Sequence, residues 1–320
     1  MSGRESFWLV NLHPEPLDVR GEVAAGLAAT PKHLAPKLFY DAAGSRLFDR
    51  ITRQPEYYLT RTETDILRRF GAEMVRLAPR GAVLVELGSG TSRKTCWLLD
   101  HWTAGDLYVP VDISADALRI AARRLKRRYP HLGIRALVAD YTAPVAWENY
   151  APSPRLVAFL GSTIGNFEPE AAVRFLARLG AAVRPGGAVL VGVDLKKDVD
   201  ALLRAYNDAA GVTARFNLNL LARCNRELGA DFDLGAFGHA VRWNAAAGRI
   251  EMHLVSLRAQ DVRVAGRCVH FAAGETIHTE NSYKFTPEEF ERLAAAAGLA
   301  TRHIWFDADR RFGVYALVPR

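Results

Sequence analysis

Gly88 and Gly90, the acidic residues Glu86, Asp112 and Asp140, and the aromatic Tyr141 are the residues whose types and spacing could bind a nucleotide-like ligand. Each acid lies in or at the end of a short apolar run: VLVEL at 83–87, YVPVD at 108–112 and RALVAD at 135–140. Runs of that length read as buried strands of a parallel sheet. Glycines directly after a strand let the backbone turn tightly and approach a ligand with no Cβ in the way. A strand, a glycine turn and a helix start form a nucleotide-type binding unit. At the end of the next strand, the Asp112 carboxylate can accept from both hydroxyls of a ribose. Asp140 can accept from an adenine amino group, and the Tyr141 ring can stack on the base.

The dinucleotide fingerprint G-x-G-x-x-G is incomplete, because Gly88-Ser89-Gly90 is followed by Thr91, Ser92 and Arg93. There is no G-x-x-x-x-G-K-S/T string either, which argues against a phosphate loop. E-x-G-x-G after the first strand is similar to what Rossmann-like methyltransferases use to hold S-adenosylmethionine (SAM). One rival is an NAD-dependent oxidoreductase built on Gly88, Gly90 and Asp112, which the missing third glycine weakens. Others are an unrelated α/β sheet with acidic loops and a non-catalytic SAM- or nucleic-acid-binding module.

These residues need a sheet to carry them. Strand-like and helix-like segments alternate from residue 83. A helix near 92–100 contains Lys94, and strand 108–112, helix 115–128, strand 135–139, strand 156–160, helix 171–179 and strand 188–195 follow. Repeated βα units predict a parallel sheet. Ligands in such sheets lie outside the carboxyl ends of the strands. The loop GSTIGNF at 161–167 therefore falls where a transferred group would meet its acceptor. Asn166 offers a donor and acceptors there, or else serves as a turn residue. The rhythm breaks after Asp194. Residues 196–239 read as mostly helical and 240–284 as antiparallel strands, an insertion resembling an added substrate domain. It resumes at Thr286-Pro287-Glu288-Glu289, a capping box with proline at the first helical position. Upstream, Tyr40, Tyr57 and Tyr58 lie beside turn residues. A lid, a substrate pocket and simple core filling are all compatible with them.

The chain has 320 residues, enough for one large or two modest domains. With 49% hydrophobic and 24% charged residues, its balance is that of an ordinary soluble protein. A net charge of +7 raises the question of nucleic acid. Its dense run, Arg119 to Arg128, has Ile120 and Leu125 interleaved at helical spacing and reads as a solvated helix face. Without a zinc knuckle or RNP-type motif, no nucleic-acid partner is expected. Cys96, Cys224 and Cys268 lack C-x-x-C spacing and read as reduced thiols of a cytoplasmic protein. MSGRESFWLV is no signal peptide by its pattern, and no apolar run is long enough to span a membrane.

Several strings carry a closer likeness: KLFYDAAGSRLFDRITRQPEYYLTRTE, VELGSGTSRKT, FLGSTIGNFEP, DLKKD, AYNDAAGVTARFN and NRELGADFDL. From about residue 20 to 318 the chain resembles the SAM-dependent histidine Nα-methyltransferases, which make hercynine for ergothioneine synthesis. The resemblance implies an α/β fold, with a class I Rossmann-like methyltransferase sheet at 61–195 plus 285–320. It implies an added α+β substrate-binding domain at 1–60 plus 196–284. Gly88, Lys94, Asp112, Asp140 and Tyr141 match the SAM contacts. Asn166 and Tyr206 match the groups that hold the amino acid carboxylate, with Gly161 and Tyr40 near its amine. Tyr57, Met252, Glu280 and Ser282 match the imidazole pocket. Two departures are Asn281, where a short apolar residue is common, and Tyr141, where phenylalanine is. Relatives acting on other aromatic amino acids keep a different substrate in play, although Glu280 favours histidine. A monomer acting on a free amino acid is expected.

The chemistry fits these positions. Glu280 can accept from one imidazole nitrogen and Ser282 can serve the other, and E-x-S spacing in a strand puts both on one face. A partner at each ring nitrogen selects histidine, because an apolar isostere leaves buried polar groups unpaired. The expected reaction is in-line attack by the α-amine on the SAM methyl, three times over. A sulfonium leaving group needs no metal, and none of the nine histidines falls in an H-x-x-x-H or H-E-x-x-H motif. An α-amine has a pKa of about 8, so positioning is the expected main source of rate. Tyr40 and nearby aromatics could accommodate the growing cation. No residue stands out as a general base.

Overall fold

The computed structural model describes residues 7–12, 18–143 and 146–320. The first six residues, part of the stretch read for a leader, lie outside the described ones. In chain order the elements begin with β1 (Trp8–Asn11), α1 (Val19–Ala28), α2 (Ala42–Ile51) and α3 (Tyr58–Val75). Next come β2 (Val83–Leu87), α4 (Cys96–Leu99), β3 (Leu107–Asp112), α5 (Ala115–Arg128) and β4 (Gly133–Val138). They are followed by β5 (Arg155–Phe159), α6 (Pro169–Ala182), β6 (Ala188–Asp194), α7 (Val199–Ala205) and α8 (Val212–Leu228). Five strands come after: β7 (Phe237–Asn244), β8 (Arg249–Ser256), β9 (Gln260–Val264), β10 (Arg267–Phe271) and β11 (Thr276–Tyr283). The chain closes with α9 (Pro287–Ala296), β12 (Leu299–Phe306) and β13 (Phe312–Pro319). Among the described residues no helix is long and apolar enough to cross a membrane.

The chain divides into two compact units. One comprises Met1–Glu15, Leu59–Lys196 and Lys284–Arg320, the other Pro16–Tyr58 and Lys197–Tyr283. In the first, eight strands order as β1-β4-β3-β2-β5-β6-β13-β12. Pairing is parallel from β1 through β6 and antiparallel at β13 and β12. All five residues of β2 are buried, as a strand covered on both faces requires. Each fully buried Val or Leu contributes about 1.5–3 kcal/mol. From β2 the order runs one way through β3 and β4 and the other way through β5 and β6, so the glycine turn lies at the topological switch point. The capping box at α9 is present, with Thr286 Oγ1 accepting from Glu289 N and the Glu289 carboxylate from Thr286 N.

Two expectations need correction here. Trp8–Asn11 fell within the 1–60 segment assigned to the substrate domain, but it pairs with β4, Trp8 opposite Arg135 and Asn11 opposite Val138. Leu9 packs on Leu118, Ala136 and Val138, so a short apolar strand covers a sheet edge that would otherwise be open. The helix expected near 92–100 is only Cys96–Leu99. Ser92 takes a left-handed φ of +52°, which a right-handed helix cannot include. Lys94 is consequently held in a turn.

In the second unit β11-β8-β7 form one antiparallel sheet and β10-β9 another. The strings that carried the resemblance have local causes here. Asp41 caps α2, accepting from Gly44 N at 2.6 Å, and also accepts from Asn219 Nδ2 at 2.9 Å and from Arg226. A Cβ at Gly44 would lie 1.7 Å from the Phe39 carbonyl, so F-Y-D-x-x-G is one packed corner. Asp208 accepts from Val212 N at 2.8 Å and Thr213 N at 2.7 Å, the first two amides of α8, whose N-cap position is Gly211.

Candidate functional site

Gly88 and Gly90 both take left-handed φ, +70° and +50°. A Cβ on Gly88 would come 3.4 Å from the Tyr141 ring, and one on Gly90 would meet nothing within 4 Å. Two predicted cofactor residues, Gly88 and Tyr141, are thus brought into contact. Asp112 accepts from Gly90 N at 2.7 Å and Ser114 N at 2.8 Å. Desolvation raises its pKa, and those two amides oppose the rise. The two carboxylate oxygens have about four acceptor sites, so one remains for a ribose hydroxyl beside the backbone bonds. Asp140 accepts from Thr142 N at 2.9 Å. Tyr141 meets Phe159 edge-on at 5.6 Å, and its carbonyl accepts from Arg178.

Below the turn, Glu86 accepts from Thr95 and Tyr108. Burial pushes Glu86 up to about 7, against the hydrogen bonds of those two partners. Lys94, Gly161 and Asn166 also belong to the first unit. Lys94 pairs with the buried Glu63, whose other oxygen accepts from Gly161 N at 2.6 Å. Asn166 ends a short turn, Thr163–Asn166, that follows Ser162 at φ +58°. Ser162 Oγ accepts from Asp194 N at 2.9 Å, and Asp194 is paired with Lys284 at 2.8 Å. Glu63, Asp194 and Lys284 were not singled out from the sequence.

The remaining predicted residues lie in the second unit and form one cluster. Tyr206 and Ser282 share a hydrogen bond of 2.7 Å between their hydroxyls. Tyr57 meets Tyr206 edge-on with ring centroids 6.2 Å apart. Phe48 links Tyr57, at 6.4 Å, to Tyr40, at 5.9 Å. Glu280 lies opposite Met252, and the register runs unbroken from Glu280 to Tyr283. Alternation therefore puts Glu280 and Ser282 on one face and Asn281 on the other. Tyr206 and Ser282, matched to opposite ends of the amino acid, are hydrogen-bonded to each other in this structure. Each hydroxyl can donate once and accept twice, so the bond between them does not by itself exhaust either.

His239 holds Tyr206 from behind. Its Nε2–H donates to the Tyr206 carbonyl at 3.0 Å, and its Nδ1 accepts from Asn217 Nδ2 at 2.9 Å, the tautomer that this network requires. Burial pushes its pKa below 6.5, against the opposing pull of the Tyr206 carbonyl. Burial also lowers His253 and His278, whose rings lie 5.0 Å apart. A histidine with a folded pKa below its unfolded value binds fewer protons folded than unfolded. Its contribution is complete above about pH 6.5 and is lost as pH falls from there through the lowered folded value. Glu86, raised to about 7, contributes with the opposite sign in the same range, so the histidine part is read as a difference between variants. His239→Asn is expected to lose less thermal stability than wild type as pH falls below about 6.5. Equal losses in the two proteins would contradict the assignment to His239.

A mostly parallel sheet with its glycine turn at the switch point is a Rossmann-like fold, and the family that the chain matches makes the class a SAM-dependent methyltransferase. The family described as histidine-specific methyltransferase, SAM-dependent, matches residues 19–319, and the chain belongs to it. It is 50% identical over 306 residues to the histidine N-alpha-methyltransferase of Mycolicibacterium smegmatis, covering 92% of this chain and 93% of that protein. The protein of the same name from Mycobacterium tuberculosis is 48% identical over 303 residues, covering 93% and 94%. Ergothioneine biosynthesis protein 1 of Neurospora crassa is 33% identical over 286 residues, which are 86% of this chain and 32% of that longer one.

Proposed function

We propose that this protein transfers three methyl groups from SAM to the α-amine of L-histidine, giving hercynine in ergothioneine synthesis. The observation that carries the reading is the match of residues 19–319 to the histidine-specific family. The glycine cradle fits the cofactor, since an added Cβ at Gly90 meets open space while the Asp112 carboxylate lies against the Gly90 amide. When bound, SAM supplies an electrophilic methyl on a sulfonium. Lys94 offers an ammonium for the ligand carboxylate, Asp112 accepts from the ribose hydroxyls, and Gly88 and Tyr141 border the adenine. By the likeness to the family, Asn166 and Tyr206 are assigned to the histidine carboxylate, and Gly161 and Tyr40 to the amine. Glu280 and Ser282 take the imidazole nitrogens, and Tyr57 and Met252 wall the ring. These residues bind and aim, and positioning of that kind supplies much of a barrier reduction without a general base.

The test is to incubate the protein with SAM and each amino acid singly, then read masses. Histidine is expected to gain three methyls and the others none. A larger kcat/KM with tryptophan or tyrosine would replace histidine as the substrate. The reading extends to a cytoplasmic protein, in keeping with the free thiols of Cys96, Cys224 and Cys268, and to a monomer. A dimer mass in light scattering would correct that part.

A further inference from the structure

Glu63 lies on α3 with its side chain fully buried, and it reaches two separate segments. One oxygen accepts from the Gly161 amide at 2.6 Å, and the other pairs with the Lys94 ammonium. The sheet makes room for it. A Cβ on Gly192 of β6 would come within 2.1 Å of Glu63 Oε1. A buried carboxylate needs a counter-charge and hydrogen bonds. This one takes the charge from the segment after the glycine turn and a hydrogen bond from the loop after β5. That loop is conformationally demanding, because Gly161 and Ser162 both hold left-handed φ, +83° and +58°. Such conformations persist where the surroundings fix them. Glu63 supplies one constraint at Gly161, and the Asp194 amide supplies another at Ser162.

We propose that Glu63 is a positioning residue that couples the donor subsite to the acceptor loop: one carboxylate aims Lys94 at the cofactor and holds the Gly161 backbone. This rests on reading Lys94 as a cofactor contact and 161–166 as the acceptor loop. An ammonium carries three donors. With one given to Glu63, the others are directed toward a ligand carboxylate. A surface lysine would have to be ordered anew each time a ligand arrived. Lys94 is held in place beforehand, in the same act that holds the loop.

The experiment measures SAM affinity by calorimetry, steady-state kinetics and thermal midpoint for Glu63→Gln, Lys94→Gln, the double variant and Glu63→Ala. Glu63→Gln keeps an acceptor for Gly161 but turns an amide toward the ammonium. SAM affinity is expected to fall about tenfold, the size of one charge-assisted hydrogen bond, while KM for histidine changes by less than about twofold. Glu63→Ala also releases Gly161, so kcat is expected to fall by a further factor of roughly ten. In the Lys94→Gln background, Glu63→Gln should cost nothing more in SAM affinity, the non-additivity of residues acting through one another. Should Glu63→Gln not fold, Glu63→Asp keeps the charge but retracts it by one methylene, and the same loss of SAM affinity is expected. If Lys94→Gln leaves SAM affinity unchanged, the reading of Lys94 fails and the proposal with it. If Lys94→Gln weakens SAM but Glu63→Gln does not, or the two effects add in full, only the role of Glu63 is overturned.

Discussion

Lys284→Met is expected to lose roughly 3–5 kcal/mol of folding stability, the usual result of removing one partner from a buried ion pair. The Lys284 Nζ lies 2.8 Å from Asp194 Oδ2, and neither side chain is exposed to solvent. Methionine fills much of the same volume, so the loss comes from the charge stranded on Asp194 rather than from a cavity. The pair also reaches the acceptor loop, because the Asp194 amide donates to Ser162 Oγ. The stability loss should therefore come with a lower kcat. A Lys284→Met, Asp194→Leu double variant removes both charges. It is expected to recover most of the stability, since replacing a whole buried pair with apolar residues is often neutral. Urea unfolding of the three proteins decides the matter. A single variant within about 1 kcal/mol of wild type would show that the pair contributes little.

The elements around the glycine turn differ in how far they could be read in advance. β2, β3 and β4 were legible because a strand covered on both faces must be apolar along its whole length. The acids at their ends stand out against that background. Glu63 left no such trace. Its bonds span 31 residues to Lys94 and 98 to Gly161, and no periodicity links residues so far apart. The string T-R-T-E was noticed only as part of a likeness, and the carboxylate that gives it meaning is visible only in three dimensions. β1 escaped for a different reason. Its four residues hold an apolar run of only three, Trp8 to Val10, and two of the four are exposed, which is too short a pattern to read as a strand. Its strand character comes from the open edge of β4. The helix over 92–100 was overestimated because residue type says little about a left-handed serine. The φ at Ser92 follows from the turn geometry, not from any preference of serine.

Glu280→Ala is expected to lower kcat/KM for histidine by roughly 10²-fold, with SAM affinity nearly unchanged. A charged acceptor facing an imidazole N–H is worth about 1.5–3 kcal/mol, and its loss leaves that N–H without its carboxylate. Glu280 lies opposite the buried Met252 and shares a strand face with Ser282, so truncation leaves an apolar wall rather than a second carboxylate. Ser282→Ala should be milder, about tenfold, because a neutral hydroxyl makes a weaker hydrogen bond than a carboxylate and the Tyr206 hydroxyl paired with Ser282 is kept for the other end of the substrate. Combining Ser282→Ala with Tyr206→Phe removes both hydroxyls of that pair and should exceed either single change. The specificity arm of the test is sharper than the rate arm. Glu280→Ala relieves the penalty on rings that lack an N–H at that point, so the preference for histidine over phenylalanine should shrink by at least the factor by which histidine turnover falls. If Glu280→Ala slows both amino acids equally, the glutamate supports the strand and does not read the imidazole.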